Sequence, residues 1–464
     1  MTVVETWQTQ QQDDSAVHHP DLDHAVAHLR ILTAAAPSVH QVGPKGLSIG
    51  RIGGDCEAQI DDRKMSRRHA RIERGVAGWS LQDLGARNRG FVNGRGYGAG
   101  ERVPLADGAV IRLADTLLVF RDSALAVDER ADSPVFPGVS PNAVAVRRRI
   151  DTLASGVGHV LILGETGTGK ERVARAIGDQ RAPNPFVAVN SAELGSDLGR
   201  AELFGHARGS FTDARTNKQG LVDIAGDGVL FLDEIGELTL DVQAELLRFL
   251  EDGSYRPVGG NELRRSNARL IAATNVDLDQ AVHATRFRRD LLARLRASNV
   301  PLELPPLRDR REDILGWTQL FFRELNRDPG DSNPWEVGAL ECLLLYPWSE
   351  NLRELHRVVG HAAEQAPAFP CGKQHLPAEV RAFRGALRPG GGGAAADGGT
   401  PPDVAAPRPD PTQAELEDAL RAIHGNARAA ARHLGIDRRK LYRLCEKFGI
   451  AIESFRAKTN AEDE

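Results

Sequence analysis

The stretch that most constrains this chain is HVLILGETGTGKERVARAIGD, residues 159–179. An apolar strand runs into a glycine-rich turn, and the turn opens an amphipathic helix. Gly164, Glu165, Thr166, Gly167, Thr168, Gly169 and Lys170 thereby form a phosphate-binding loop in the context that such a loop requires. The glycines let backbone N–H groups curl around phosphate oxygens. The helix N-terminus adds partial positive charge, and Lys170 reaches the outer phosphates. Glu171 follows the lysine, where a Ser or Thr more often touches magnesium, so most of the metal binding must fall elsewhere.

GVLFLDEIGEL, residues 228–238, supplies it. An apolar strand ends in Asp233 and Glu234, one carboxylate to orient hydrated Mg²⁺ and the next to polarise an attacking water. ARLIAATN (268–275) is a third buried strand, ending in Thr274 and Asn275, and FVAVN (186–190) a fourth, ending in Asn190. Short apolar strands alternating with helices imply a parallel sheet whose ligands sit at the strands' C-terminal ends. Arg288 and Arg294 in FRRDLLARL (287–295) are either a solvated helix face or donors to a neighbouring subunit's γ-phosphate. The second role requires a ring. Arg353 in YPWSENLREL (346–355) lies on a helix after a Trp-containing turn, suited to sensing nucleotide from a lid.

Around this α/β core the sequence divides by composition. Residues 1–25 are a polar, acidic lead-in; 125–134 form a short joint; 385–412, rich in Gly, Pro and Ala, cannot bury a core and reads as a flexible linker. The 26–124 region shows short alternating segments separated by Gly and Asp turns, the pattern of an all-β sandwich. Its Arg51, Ser66, Arg67 and Asn88 lie between these segments, where arginine forks and a hydroxyl make a compact phosphate clamp. Residues 413–455 read as three helices, the last two joined at Gly435 as a helix-turn-helix, followed by a tail at 456–464. Arg438, Arg439, Lys440, Tyr442, Arg443 and Lys447 lie on the third helix, which suits the major groove; which of them touch bases and which phosphates stays open. The net charge of −5 requires any such DNA surface to be local. No apolar run approaches a membrane span, and four scattered cysteines fit a reducing cytoplasm.

One stretch belongs to none of this chemistry: GHARGSFTDA, residues 205–214. Together with GETGTGKE, the aspartate–glutamate strand, FRRDLLARL, LPPLRDRREDI (304–314) and YPWSENLREL, it resembles the AAA+ domain of sigma-54-dependent transcriptional activators, the bacterial enhancer-binding proteins. The resemblance covers roughly half the chain. It implies that Gly209, Ser210, Phe211, Thr212, Asp213 and Ala214 form the loop that presses on sigma-54, here with Ser for Ala and Asp for Gly. It also makes Arg288 and Arg294 arginine fingers, Arg353 sensor II, Thr274 and Asn275 sensor I, and Asn190 the partner of Glu234. The 26–124 region resembles the forkhead-associated (FHA) domain, a phosphothreonine-peptide reader, with Asn88-Arg89-Gly90 where a Thr is usual; His69 is then structural. The 413–455 region resembles the Fis-type DNA-binding domain.

The resulting expectation is an ATP- and Mg²⁺-dependent ATPase, assembled as a ring that the resemblance makes a hexamer, that remodels sigma-54 RNA polymerase holoenzyme from upstream DNA under phosphothreonine control. It would be cytoplasmic, with no membrane partner. The alternative is a DNA-binding regulator whose GSFTDA loop no longer engages sigma-54.

Overall fold

A computed structural model describes residues 27–33, 38–123, 133–179, 184–194, 197–210, 216–330 and 332–383, with a few single residues besides. Phe211, Thr212, Asp213 and Ala214 lie outside the described residues, as do the 385–412 linker and Arg438, Arg439, Lys440, Tyr442, Arg443 and Lys447 of the helix-turn-helix. The chain divides into two units, Met1–Gly390 and Gly391–Glu464, and all the strands and helices named below belong to the first.

The N-terminal region is the expected sandwich. Its strands are β1 Ala27–Ile31, β2 Ser38–Val42, β3 Leu47–Arg51, β4 Ala58–Ile60, β5 Ala70–Gly75, β6 Gly78–Asp83, β7 Phe91–Val92, β8 Arg95–Gly96, β9 Arg102–Pro104, β10 Val110–Leu113 and β11 Thr116–Arg121. They form one sheet in the order β2-β1-β11-β10-β7-β8 and a second in the order β4-β3-β5-β6-β9. Leu29, Ile49, Ile72, Leu81, Ile111, Leu118 and Phe120 fill the space between the sheets. β5 and β6 alternate buried with less buried residues, as strands with one wet face do.

β11 breaks that alternation, because all six of its residues are buried. Leu118 and Phe120 face the sandwich core, whereas Leu117 and Val119 join a different cluster, built mainly from the C-terminal helices of the unit. The outer face of the six-stranded sheet is therefore covered by protein.

The central region has β12 Val160–Leu163, β13 Phe186–Asn190, β14 Val229–Asp233, the short β15 Ser254–Tyr255 and β16 Arg264–Arg265, β17 Arg269–Thr274 and β18 Leu302–Glu303. Five of these make one sheet, β13-β14-β17-β12-β18, in which every pairing is parallel. Central strands of such a sheet are covered on both faces, and β14 and β17 accordingly read as continuous apolar runs. The flanking helices are α1 Pro141–Ser155, α2 Lys170–Gly178, α3 Asp197–Phe204, α4 Leu221–Ala225, α5 Leu240–Asp252, α6 Leu278–His283 and α7 Arg289–Ser298. α1 starts where the Ser140 hydroxyl accepts from the Ala143 N–H, with Pro141 at its first turn, and α5 stops at Gly253 in the left-handed conformation, φ 75°.

Residues 314–382 form the lid: α8 Ile314–Glu324, α9 Val337–Leu345, α10 Asn351–Gln365 and α11 Ala378–Ala382. Trp317, Phe322 and Trp348 are fully buried among them. Off the core, the stem of the 205–220 loop is anchored. His206 bridges both Lys218 and Val258, and the Tyr255 hydroxyl donates to Asp223, with Arg264 3.4 Å from the same carboxylate. The described stem of the loop is thus tied to the β15–β16 hairpin.

Candidate functional site

The phosphate loop has the backbone that its glycines permit. Gly164, Gly167 and Gly169 take φ of 158°, 78° and 101°, and Gly169 caps α2 from the left-handed region that a side chain disfavours. Lys170 is 6% exposed, and its Nζ donates to the carbonyls of Gly164 at 3.0 Å and Glu165 at 3.3 Å. Glu234 Oε1 stands 3.6 Å from that ammonium. The lysine is thus held over the loop by groups that a phosphate would replace.

Asp233 ends β14, and Glu234 follows in the left-handed region at φ 52°, uncommon for a residue with a side chain. That kink turns the Glu234 carboxylate toward β17, where Oε2 accepts from the Asn275 backbone N–H at 3.1 Å. Burial first, and the adjacent Glu234 second, raise the Asp233 carboxyl above its ordinary pKa. Two neighbouring carboxylates facing one lysine leave a local excess of negative charge. That donor set fits Mg²⁺, a hard cation bound through oxygen. Glu171 is drawn away to Arg175 at 2.8 Å on the exposed face of α2.

Thr274 and Asn275, expected as sensor I, lie against the phosphate loop. The Asn275 amide donates to Thr166 Oγ1 at 2.8 Å, and the Thr274 carbonyl accepts from Gly164 N at 3.2 Å. The Thr168 hydroxyl instead turns inward to the Glu165 carbonyl. A cavity of about 530 Å³ runs from the phosphate loop to the lid, lined by Thr166, Gly169, Lys170, Asp233, Glu234 and Arg353 among others, whereas Gly164, Thr168, Thr274 and Asn275 do not line it. Core and lid therefore converge on one pocket of nucleotide size.

Four expected residues sit differently from expectation. Asn190 lies opposite Asp233 across the β13–β14 pairing, but its Oδ1 accepts from Ala192 N at 3.0 Å, while Glu234 is occupied by Asn275. Glu165 does not line the cavity; Arg308, just ahead of the lid, grips its carboxylate at 2.8 and 2.5 Å. Arg288 and Arg294 do not line it either. Arg288 forks onto Asp290 at 3.0 and 2.7 Å, and Arg294 donates to the Leu250 carbonyl at 3.0 and 2.9 Å. Neither arginine serves the pocket of its own chain. Sequence reasoning gave no role to Asn351, whose amide donates to Glu165 Oε2 at 3.1 Å and to the Thr166 carbonyl at 3.0 Å.

On the sandwich, three loops converge. The Ser66 carbonyl accepts from Arg51 N at 3.0 Å, Arg51 Nη1 donates to the Arg63 carbonyl at 3.3 Å, Ser66 Oγ accepts from Arg87 N at 3.0 Å, and the Asn88 amide donates to the Lys64 carbonyl at 2.6 Å. Gly50 makes the close approach possible, since a Cβ there would lie 2.0 Å from the Arg67 carbonyl oxygen. His69 is fully buried, its pKa lowered by desolvation, and its Nδ1 accepts from Ser66 N at 3.3 Å, a structural role as expected. Arg51, Ser66, Arg67 and Asn88 thus occupy one loop cluster, with Arg67 and Asn88 exposed.

Comparison with known families follows the same order. Residues 47–114 match the FHA domain, 136–301 the Sigma-54 interaction domain, 308–388 the AAA+ ATPase lid domain, and 413–447 the Bacterial regulatory protein, Fis family. The chain carries the domain set of the sigma-54-dependent activators. It is similar to the anaerobic nitric oxide reductase transcription regulator NorR of Citrobacter koseri, with 40% identity over 322 residues, which is 68% of this chain and 62% of that protein. To the DNA-binding transcriptional regulator NtrC of Rhizobium meliloti it is 43% identical over 224 residues, 48% of this chain and 46% of that protein. The crystal structure of NtrX from Brucella abortus in complex with ADP shares 28% identity over 69% of this chain and 71% of that chain, with a TM-score of 0.48. The chain spans less than two thirds of the length of the curated relatives named here. Its FHA sandwich, ATPase domain with lid, and Fis-family helix-turn-helix follow one another along the chain. Among the described residues no helix is long and apolar enough to cross a membrane.

Proposed function

We propose that this activator hydrolyses ATP as a ring, with six subunits as in its family, and uses the cycle to drive the Phe211–Thr212 loop against sigma-54 holoenzyme. The observation that carries this reading is the single cavity shared by Lys170, Asp233, Glu234 and Arg353. Lys170 and the loop amides bind the phosphates, Glu234 takes the proton of the attacking water, and Arg353 reports nucleotide to the lid. Asp233 would hold hydrated Mg²⁺, which would supply neutralisation of the phosphate charge. Arg288 and Arg294, which line no part of their own pocket, act in the next subunit's site.

The Fis-type domain holds the ring to upstream DNA through its third helix. Arg51, Ser66, Arg67 and Asn88 read a phosphothreonine on a cytoplasmic protein and thereby set the activity. Asp213 supports one rival reading, a DNA-binding regulator that hydrolyses ATP without engaging sigma-54, because a charge and a Cβ replace glycine at the loop tip.

Hydrolysis per chain, measured against protein concentration, tests the ring. Trans-acting arginines require the specific rate to rise as subunits associate, and Arg288→Ala chains mixed into wild type must poison it. A rate per chain independent of concentration and of the mixing would end the ring reading.

A further inference from the structure

Glu165 sits inside the phosphate loop, yet its carboxylate makes no contribution to the cavity's lining. Arg308, on the segment that leads into the lid, forks onto both of its oxygens. Asn351 completes a three-way junction. Its amide donates to Glu165 Oε2 and to the Thr166 carbonyl, while its own Oδ1 accepts from Leu307 N at 2.7 Å. The side chain is fully buried, and the backbone is left-handed at φ 51°, a conformation that asparagine adopts more readily than most residues. A further bond runs from Leu352 N to the Gly167 carbonyl at 2.8 Å. A Cβ on Gly167 would lie 2.1 Å from the Glu350 carbonyl oxygen, so loop and helix meet at backbone distance.

Asn351 opens α10, and Arg353 lies in the first turn of that helix, lining the cavity. The direction in which Arg353 points is therefore set by how α10 is pinned to the phosphate loop. We propose that Glu165 is a positioning residue and not a nucleotide ligand: through Arg308 and Asn351 it locks the lid's Arg353 to the loop, so that both grip the phosphates as one piece. This rests on the ATPase reading above and adds to it the part that fixes the lid's register.

The test is a double-mutant cycle in the full chain, with the ADP dissociation constant measured calorimetrically for wild type, Glu165→Gln, Arg353→Ala and the double variant. Glutamine keeps the shape but cannot accept both prongs of Arg308. Glu165→Gln is expected to weaken ADP roughly 5- to 10-fold in the wild-type background, and by less than about twofold once Arg353 is gone. Arg308→Lys, which keeps charge but loses the fork, is expected to fall between wild type and Arg308→Ala. A Glu165→Gln loss that persists undiminished in the Arg353→Ala background means that Glu165 acts on the nucleotide directly or only on folding, and overturns the proposal. No loss in either background overturns it equally. Wild-type chain that binds no ADP at all overturns the ATPase reading, and the positioning role with it.

Discussion

Arg121 of β11 and Glu312, just ahead of α8, form a forked ion pair at 2.8 and 2.5 Å, with side chains 6% and 1% exposed. They are 191 residues apart and join the FHA sandwich to the lid. The same arginine reaches Asp107 at 2.8 Å and the Asp309 carbonyl at 2.8 Å. Beside it Arg112 of β10 pairs with Glu341 of α9 at 3.0 Å and stacks on Phe91, while Leu32, Val110, Leu117 and Val119 continue the lid's apolar cluster. The sandwich is thus docked on the nucleotide lid by a face that is half apolar and half ion-paired. Asp62, near Arg51, Ser66, Arg67 and Asn88, accepts from Asp115 N and the Thr116 hydroxyl, both at 2.9 Å, which ties that loop cluster to the docking hairpin.

Arg121→Ala leaves Glu312 buried without its partner, and is expected to cost about 3 kcal/mol in denaturant unfolding of the chain. The double change Arg121→Met with Glu312→Leu removes both charges and is expected to stay within about 1 to 2 kcal/mol of wild type. A single Arg121→Ala variant as stable as wild type would mean that the docked face does not form in solution.

Asp313 is fully buried and accepts from Val139 N, Ser140 N and the Ser140 hydroxyl at 2.7, 2.7 and 2.6 Å. Burial, reinforced by Glu312, pushes its carboxyl up to about 6. A carboxyl with a raised pKa favours the fold while protonated. Its contribution is complete below the unfolded value near 4 and is lost as pH rises through about 6. Asp313→Asn should remove this component, so the stability difference between wild type and variant must drift against wild type from pH 4 to pH 6, by about 1 to 3 kcal/mol. A constant difference across that window would contradict the assignment.

Glu234→Gln should slow ATP hydrolysis by about 10²- to 10⁴-fold, because the glutamine cannot take the water's proton. ADP affinity should change little, since Gln can still accept from Asn275 N. Steady-state rates alongside ADP titration separate the two quantities, and equal losses in both would remove Glu234 from the proton-transfer role.

The loops around Ser66 and Asn88 carry Arg51, Arg63, Lys64, Arg67, Arg68 and Arg87, and of these six only Lys64 forms an ion pair with a described residue, Asp115 at 2.7 Å. A phosphothreonine peptide should therefore bind more weakly as salt rises, and Arg51→Ala should weaken it roughly 10- to 100-fold, as loss of a charge-assisted contact does. Fluorescence anisotropy with the phosphorylated and the unphosphorylated peptide reads both effects. Equal binding of the two peptides would reduce the sandwich to a structural module.

Much of this architecture was legible because it is local. Strand, glycine turn and helix are contiguous at 159–179, and β14 ends in its acids within one short run, so motif and element coincide. The sandwich was readable from alternation and turns for the same reason. The junction at Asn351 was not. It depends on a left-handed backbone and on partners at Glu165 and Leu307 that are remote in sequence. Nor was the docked sheet, although a signal existed: the unbroken apolar run Leu117–Phe120 marks a strand wet on neither face. Asn190 shows the reverse limit, since a residue correctly placed beside Asp233 still makes a local turn bond in this conformation.

Open-complex formation tests the central claim most directly. Sigma-54 holoenzyme, ATP, the phosphothreonine peptide and a promoter carrying this activator's own upstream site are combined with wild type or Phe211→Ala. The account predicts that wild type melts the promoter, whereas Phe211→Ala hydrolyses ATP at a comparable rate and leaves the DNA closed. Wild type that hydrolyses ATP but never opens the promoter would contradict it, and would leave a DNA-bound ATPase whose Asp213-bearing loop has lost sigma-54.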